Sequence, residues 1–219
     1  MMQVRLHGYW RSSASWRVRI ALNLKGIPFE YLPVHLVKDG GQQHQPAYRA
    51  VNPMGRVPTL EWTDDGGQER RLSESMAILE YLEERGGSPA LLPSEAYLRA
   101  RTRMLAEMVN AGIQPLQNTS VVLRVRDVLK GDEKAWGAHW NAHGLTALET
   151  AVQATVGRYC VGDAVSFADI LLVPQLYGAR RLGVDLTPYP TLLRIEAACN
   201  ELPAFQAAQP DRQPDAQPA

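Results

Sequence analysis

The fold of the first part of the chain is decided by the stretch Trp10-Arg-Ser-Ser-Ala-Ser-Trp-Arg-Val-Arg-Ile-Ala-Leu-Asn-Leu-Lys25. Its apolar residues recur every third or fourth position, as they do on one face of a helix. A short segment at residues 3–6 precedes the stretch and has the character of a strand. We therefore predict a strand, a serine-rich turn and a helix over residues 13–25.

The serine turn at the start of this helix is the first candidate functional feature. Ser12, Ser13 and Ser15 are of the residue type that caps the unpaired N–H groups of a helix N-terminus. The same N-terminus offers free N–H donors and partial positive charge, so it also suits an anionic sulfur or oxygen. The serines alone leave both interpretations open, capping only or capping together with anion binding.

The composition limits the class of protein. The 219 residues include 23 Lys and Arg and 23 Asp and Glu, and this zero net charge argues against a general nucleic-acid-binding protein. No apolar run approaches the roughly 18 residues of a membrane span, and Arg5 and His7 interrupt any signal-peptide core. We expect Cys160 and Cys199 to be reduced, buried thiols rather than a disulfide. We therefore expect a cytoplasmic globular protein with no nucleic-acid or membrane partner.

Residues 3–86 have the pattern of a mixed α/β domain, in which a sheet packs against helices. After the first strand and helix, the predicted elements are a strand over 29–34, a polar surface loop with a helical turn over 38–48, a strand over 57–62, a hairpin turn at 64–67 and a helix over 76–84.

The second half of the chain has the pattern of an all-helical domain. Gly86-Gly-Ser-Pro89 interrupts the earlier pattern, so we place a linker at residues 87–93. Ser166, with Asp169 three residues later, resembles a capping box that starts a central apolar helix. Residues 209–219 are proline-rich and polar, so we expect order there only through docking. The predicted helices cover 94–112, 115–130, 134–156, 166–181 and 190–200.

Several later motifs occur together in a combination that is typical of one family. They are, in chain order, Lys38-Asp-Gly-Gly-Gln-Gln43, Asn52-Pro-Met-Gly-Arg-Val-Pro-Thr-Leu60, Glu74-Ser75, Gly112-Ile-Gln-Pro-Leu-Gln-Asn118, Tyr159-Cys-Val-Gly-Asp163 and Val184-Asp-Leu-Thr-Pro-Tyr-Pro190. With the serine turn and the box at 166–169, this combination resembles the zeta class of the cytosolic glutathione transferases over essentially the whole chain.

The resemblance implies the fold of the cytosolic glutathione transferases, α/β followed by all-α. It implies a thioredoxin-like, glutathione-binding domain at residues 1–86 and, after the linker at 87–93, an all-α domain at 94–208 that forms the electrophile site. The proline-rich tail at 209–219 follows. It also implies that the chain forms a homodimer.

The resemblance further implies roles for individual residues. Ser12 meets the glutathione sulfur, with Ser13 beside it. Pro58 is preceded by a cis bond, so that Val57 offers its backbone N–H and C=O to the cysteinyl part of glutathione. Ser75, at a helix start, suits the γ-glutamyl carboxylate. Further glutathione contacts are expected at Ser15, Arg17, Gln43, Gln114, Asn118 and Ser120.

Two positions depart from the family pattern. Glu74 replaces the usual Gln before Ser75, and a carboxylate there can still accept from the γ-glutamyl ammonium, so Glu74 is included among the expected glutathione contacts. Ala14 replaces the usual Cys in the serine turn. No active-site cysteine is then available, so the reacting thiol must belong to glutathione.

Arginines are the candidate substrate ligands, because the family substrates are conjugated diacids and a planar guanidinium matches a carboxylate. Arg181 lies where the family places its substrate-binding arginine, and Arg11 and Arg17 flank the serine turn. A solvated surface charge is the alternative for each.

The pair His139 and His143 has zinc-ligand spacing, but Trp140 stands where a metalloprotease has Glu and no third ligand is near. We therefore expect surface histidines and no metal.

The resemblance implies a glutathione-dependent cis–trans isomerase of aromatic amino-acid or aromatic-acid catabolism. The substrate would be maleylacetoacetate or maleylpyruvate, with Ser12, Ser13 and Arg181 as the catalytic residues. Two alternatives stay open from the sequence. One is a broader glutathione transferase or α-haloacid dehalogenase, and the other is a non-catalytic glutathione-binding protein.

Overall fold

The computed structural model describes residues 4–217, without the side chain of Asp39. The described chain forms two compact units. One comprises the residues up to Pro89 together with those from Pro203 onward, and the other comprises Ala90–Leu202. Residues 203–208, which the sequence analysis grouped with the helical domain, thus lie in the same unit as the sheet.

The described residues alternate strands and helices in the first unit and are helical in the second. The elements are β1 (Val4–Gly8), α1 (Ser13–Leu24), β2 (Glu30–Pro33), α2 (Pro46–Val51), β3 (Thr59–Thr63), β4 (Glu69–Ser73), α3 (Ser75–Glu84), α4 (Ala96–Glu107), α5 (Thr119–Asp127), α6 (Glu133–Val152), α7 (Phe167–Arg181), α8 (Pro190–Asn200) and α9 (Pro203–Ala208). Across residues 4–217, no helix combines the length and apolarity that a membrane crossing requires.

The register of the sheet brings four chain segments to one edge. The strand order is β2-β1-β3-β4, with β2 parallel to β1 and both other pairings antiparallel. Thr59, the first residue of β3, lies opposite His7 near the end of β1 and opposite Ser73 at the end of β4. Gly8 lies opposite Pro33 at the end of β2. The turn into α1, the segment before β3 and the start of α3 therefore share one edge.

Helix α1 lies against α3 and α9 through the apolar face that its sequence predicts. Each fully buried aliphatic side chain contributes about 1.5–3 kcal/mol relative to exposure, so this layer makes a large part of the first unit's core. The buried residues that it contributes with the sheet are Val18, Ile20, Leu22, Leu6, Leu60, Ile78, Leu79 and Leu82.

The predicted central helix of the second half is confirmed as α7, which is buried without interruption from Phe167 to Leu176. Ser166 donates its N–H and its hydroxyl to Asp169 Oδ2, each at 2.8 Å. Asp169 Oδ1 accepts from Cys160 N at 2.8 Å. The capping carboxylate therefore also fastens the preceding loop. Asp163 also stabilises this loop, because its Oδ1 accepts a hydrogen bond from Arg158 N at 2.8 Å.

The segment 38–48, predicted as a polar surface loop with a helical turn, contains two 3₁₀ turns, Lys38–Gly40 and Gln42–His44, and helix α2 begins at Pro46. No helix is predicted from the sequence at α9, which begins at Pro203. Proline suits the first position of a helix, because its missing N–H would be unpaired there and its φ is already helical. Pro46 and Pro203 are therefore the first residues of helices and not loop residues.

The predicted helices over 94–112 and 115–130 have the wrong bounds. Helix α4 ends at Glu107 and is followed by a π-helical segment, Met108–Ile113, and a 3₁₀ segment, Gln114–Gln117. Helix α5 starts only at Thr119, after the N-cap Asn118. π-Helical turns are rare and occur often at functional sites, and periodicity alone does not distinguish them from an α-helix.

Candidate active site

Ser12 is the N-cap of α1. Its Oγ accepts a hydrogen bond of 3.2 Å from Ser15 N, and its own N–H donates to Tyr9 O at 2.9 Å. The capping interpretation is thus confirmed. It does not compete with anion binding, because a hydroxyl whose oxygen accepts a bond can still donate its hydrogen.

The other two serines of the turn differ in exposure. Ser13 opens the first turn of α1 and is half-buried. Ser15 is fully buried, and its Oγ accepts from Tyr9 N at 3.4 Å. Ser15 therefore supports the turn from inside, whereas Ser12 and Ser13 lie at the helix end.

Arg17 connects α1 to the start of α3. Its Nη1 donates a hydrogen bond of 3.1 Å to Ser75 Oγ, and only 1% of the residue is exposed. The alternative of a solvated surface charge is wrong for Arg17. Ser75 is the first residue of α3, so a buried cation lies beside a helix N-terminus, and both favour an anion there.

Arg11 is half-buried beside aromatic rings. Its guanidinium carbon lies 4.6 Å from the centroid of Trp10, and Nη2 donates to the hydroxyl of Tyr9 at 3.4 Å. Stacking of this kind restricts the side chain without neutralising its charge.

The segment before β3 has the backbone form that the family implies. The bond between Val57 and Pro58 is cis, which confirms that expectation, and Pro58 is buried. Because Thr59 lies opposite His7, Val57 is at the same sheet edge as the serine turn.

Gln43 and Glu74 are two further predicted glutathione contacts in the first unit. Gln43 Nε2 donates to Leu36 O at 3.2 Å, which folds the side chain back over its own loop. Glu74 precedes α3 with a φ of +70°, one of two such values for non-glycine residues in the described chain. A backbone of this kind is costly for a residue with a Cβ and is found preferentially at functional sites.

In the second unit, three predicted residues lie around the start of α5. Asn118 Oδ1 accepts from Ser120 N at 3.1 Å and from Ser120 Oγ at 2.9 Å, so both side chains take part in capping. Gln114 opens the 3₁₀ segment before them and is half-buried.

A network of three side-chain amides, which the sequence does not predict, stabilises this region. Asn141 Nδ2 donates to Gln117 Oε1 at 2.7 Å, Gln175 Nε2 donates to Asn141 Oδ1 at 2.5 Å, and Gln117 Nε2 donates to Gln175 Oε1 at 3.2 Å. Each amide comes from a different segment, α6, α7 and the 3₁₀ turn, so no local pattern reveals the network. Gln117 is thereby fixed one residue before Asn118.

The structure distinguishes the two adjacent arginines at the end of α7. Arg180 forms a two-pronged ion pair with Glu196 of α8, in which Nη1 lies 2.6 Å from Oε1. Arg181 is exposed, and its side chain makes no hydrogen bond or ion pair within residues 4–217. Arg180 is therefore committed to the fold, and the charge of Arg181 is available to a ligand.

The remaining candidates have structural positions. Cys160 and Cys199 are free and buried, as expected, and burial raises the pKa of both thiols. His139 and His143 are exposed on α6, also as expected. Among the described residues, no group of three or more potential metal ligands occurs.

Comparison with known proteins agrees with this geometry. The sequence model of the family "Glutathione S-transferase, N-terminal domain" matches residues 6–90. The probable maleylacetoacetate isomerase 2 of Drosophila melanogaster is 49% identical over 99% of this chain and 92% of its own length. The maleylpyruvate isomerase of a Ralstonia species is 46% identical over 97% and 99%.

The crystal structure of maleylacetoacetate isomerase from Anaeromyxobacter dehalogenans with bound GSH in the active site has a TM-score of 0.91. It is 53% identical, and the match covers 99% of both chains. A second structure of that protein, with dicarboxyethyl glutathione and citrate bound in the active site, has a TM-score of 0.90 at 52% identity over 99% of both chains.

This chain belongs to the zeta-class glutathione transferases. In this chain the serine turn, the cis proline and the start of α3 lie at the same end of the sheet.

Proposed function

We propose that this chain is a glutathione-dependent cis–trans isomerase that converts maleylacetoacetate to the fumaryl isomer, or maleylpyruvate to fumarylpyruvate. The observation that carries the proposal is the convergence of Ser12, Val57 and Ser75 at one sheet edge. The nearly full-length similarity to maleylacetoacetate and maleylpyruvate isomerases supports the same reaction. Glutathione is the cofactor, because the reaction regenerates it.

The proposed role of the serine turn is to keep the glutathione sulfur ionised at neutral pH. The N-terminus of α1 contributes about 1 kcal/mol to an anion, and a hydrogen bond from the Ser12 hydroxyl to the charged sulfur contributes about 1.5 kcal/mol. Together they lower a thiol pKa of about 8.5 to roughly 6.5. No separate base is needed, and Ser13 adds a second hydroxyl at the same helix end.

The reaction proceeds by reversible addition. The thiolate forms a C–S bond with one carbon of the cis double bond, the π bond breaks, and its electrons pass to the adjacent carbonyl as an enolate. The former double bond is now single and rotates. The enolate then collapses, the trans double bond forms, and the thiolate leaves, so no proton or electron is consumed.

The remaining residues are proposed to bind the two molecules. Glu74 and Ser75 bind the γ-glutamyl end, and Val57, beside Pro58, binds the cysteinyl backbone. Arg181 binds a substrate carboxylate, and Arg11 supplements it. Further glutathione contacts are proposed for Ser15, Arg17, Gln43, Gln114, Asn118 and Ser120.

Assembly, domain roles and location are also proposals. The first domain, at residues 1–86, binds glutathione and the helical domain, at 94–208, shapes the electrophile site, as the family resemblance implies. The same resemblance supports a homodimer in the cytoplasm. Light scattering coupled to gel filtration measures the dimer directly, and a monomeric mass at enzyme-assay concentrations would contradict it.

The function is tested by an ultraviolet assay of both maleyl acids with and without glutathione. We expect isomerisation of at least one substrate only when glutathione is present, with glutathione recovered unchanged. Isomerisation at the same rate without glutathione would overturn the proposal. Comparing kcat/KM for the two acids determines which of them this chain prefers.

A further inference from the structure

The C-terminal segment is fastened to the turn that leads into the glutathione site. Asp215 Oδ2 accepts a hydrogen bond of 3.0 Å from the backbone N–H of Trp10, which lies two residues before Ser12. The hydroxyl of Tyr31 donates a longer bond, 3.5 Å, to the same oxygen. Both partners belong to the same compact unit as Asp215.

The carbonyl of Trp10 is held as well. Arg19, which is fully buried in α1, donates from Nη2 to Trp10 O at 3.0 Å and from Nε and Nη2 to Ala208 O at 3.1 and 3.0 Å. Ala208 is the last residue of α9, whose carbonyl end carries partial negative charge. One guanidinium therefore ties the serine turn to the C-terminal helix.

The carboxylate of Asp215, in the C-terminal tail, compensates the buried positive charge of Arg19 near Trp10. Burial lowers the pKa of Arg19 to about 10, while Tyr31 and the carboxylate of Asp215 oppose that shift. Arg19 therefore stays charged at neutral pH. Asp215 is the acidic side chain that acts on both Arg19 and Tyr31 in this cluster, so removing it leaves a buried cation less compensated.

We infer that Asp215 is a positioning residue for the isomerase reaction: it fixes Trp10, and through it the orientation of the Ser12 hydroxyl towards the glutathione sulfur. The inference rests on the proposed role of Ser12. Both backbone groups of Trp10 are bound by residues outside the turn, and Ser12 N donates to the neighbouring Tyr9 O at 2.9 Å. A hydrogen bond to sulfur depends steeply on direction, so a loosened turn weakens it.

The test compares Asp215→Ala and Asp215→Asn with Asp211→Asn, which removes an exposed carboxylate from the same tail. The readouts are the pKa of the bound glutathione thiol, followed by thiolate absorbance, the pH profile of kcat, and the melting temperature. For Asp215→Ala we expect a rise of about one pKa unit, which is about tenfold less thiolate near neutral pH. The lost rate should return as pH is raised.

Asp215→Asn keeps an oxygen that can accept from Trp10 N, so we expect a smaller rise, and Asp211→Asn should match the wild type. A lower melting temperature with an unchanged thiol pKa and pH profile in Asp215→Ala would overturn the inference, because Asp215 would then be only structural. Ser12→Ala separates the two proposals. If it leaves the thiol pKa unchanged, the role of Ser12 fails, whatever the Asp215 variants do.

Discussion

Arg17 Nη1 lies 3.1 Å from Ser75 Oγ, so α1 and α3, which begin at the same end of the sheet, are joined by a buried cation. The sequence makes Arg17 a candidate ligand of both glutathione and the substrate. The contact with Ser75 favours the glutathione role, because it places Arg17 where the γ-glutamyl carboxylate is proposed to bind. Its charge and the N-terminus of α3 favour the same anion.

We predict that Arg17→Lys raises the KM for glutathione about tenfold, because a hydrogen bond to or from a charged group contributes about 1.5 kcal/mol. Lysine keeps the charge but not the planar donor geometry. Steady-state kinetics with each substrate varied in turn measures this. The matched variant Arg11→Lys should leave the glutathione KM near its wild-type value. If Arg17→Lys raises the KM for the diacid more than the KM for glutathione, Arg17 binds the substrate and not the γ-glutamyl carboxylate.

Capping and sulfur binding by Ser12 can be separated by two substitutions. Ser12→Ala removes both functions and should cost about 1 kcal/mol of folding stability. Ser12→Asn keeps an N-cap acceptor but has no hydroxyl, so stability should stay near wild type. Both should slow isomerisation at neutral pH about tenfold or more. Denaturant titration and initial rates measure the two effects, and a wild-type rate in Ser12→Asn would remove the hydroxyl from the mechanism.

Adjacent arginines on α7 provide a built-in control for substrate binding. Arg181→Ala should raise the KM for the diacid more than the KM for glutathione, since the Arg181 side chain is exposed and makes no hydrogen bond or ion pair within residues 4–217. Arg180→Ala breaks the pair with Glu196 and should lower the melting temperature with little change in either KM. Equal changes in both KM values for Arg181→Ala would argue against its substrate role.

The backbone conformation of Glu74 is strained, and substitution of Glu74 tests whether that strain accompanies a role in binding. Its φ of +70° costs about 1–3 kcal/mol for a residue with a Cβ, and glycine adopts such a φ freely. Glu74→Gly should therefore increase the free energy of unfolding by about 1 kcal/mol while raising the KM for glutathione. Glu74→Gln, which keeps an acceptor oxygen, should preserve binding. If Glu74→Gly binds glutathione as well as the wild type, the carboxylate has no binding role.

Glu61 gives the first unit a defined acid sensitivity. Burial raises the pKa of its carboxyl, but hydrogen bonds from His7 at 3.0 Å and Arg71 at 2.6 Å outweigh burial and lower the pKa below its usual value. Arg5 adds a longer ion pair of 3.4 Å. A lowered folded-state pKa means that Glu61 stabilises the fold above its ordinary pKa, and that this contribution disappears as pH falls through the lowered value.

Glu61→Gln should therefore be less stable than the wild type at pH 7, and the difference in stability should shrink as pH falls below about 4.3, the ordinary pKa of a glutamate. Thermal melts of both proteins across that range measure it. Glu69→Gln serves as the control, because Glu69 is exposed and pairs only loosely with Arg5. A stability difference that stays constant down to acid pH would show that the carboxylate charge of Glu61 does not contribute.

The sequence by itself determined the features that depend on local chemistry. Serines before an apolar stripe predict the N-cap at Ser12, and Ser166 with Asp169 predicts the start of α7, because capping needs only residues three positions apart. The motif around Pro58 identified the family and, through it, the cis bond. The same local reasoning failed where proline began α2 and α9, since proline marks both loops and first helical turns.

Only the tertiary structure decided which partners distant residues have. Nothing in the sequence shows that Arg17 contacts Ser75, 58 positions away, or that Asp215 accepts a hydrogen bond from Trp10, 205 positions away. Nor does the sequence show that Glu196 pairs with Arg180 and not with the adjacent Arg181. Two arginines in a sequence cannot be distinguished by residue type, although one can be paired and the other free in the folded protein. Their charge, exposure and hydrogen-bond partners are set by the segments that packing brings beside them, and those segments have no fixed spacing in sequence.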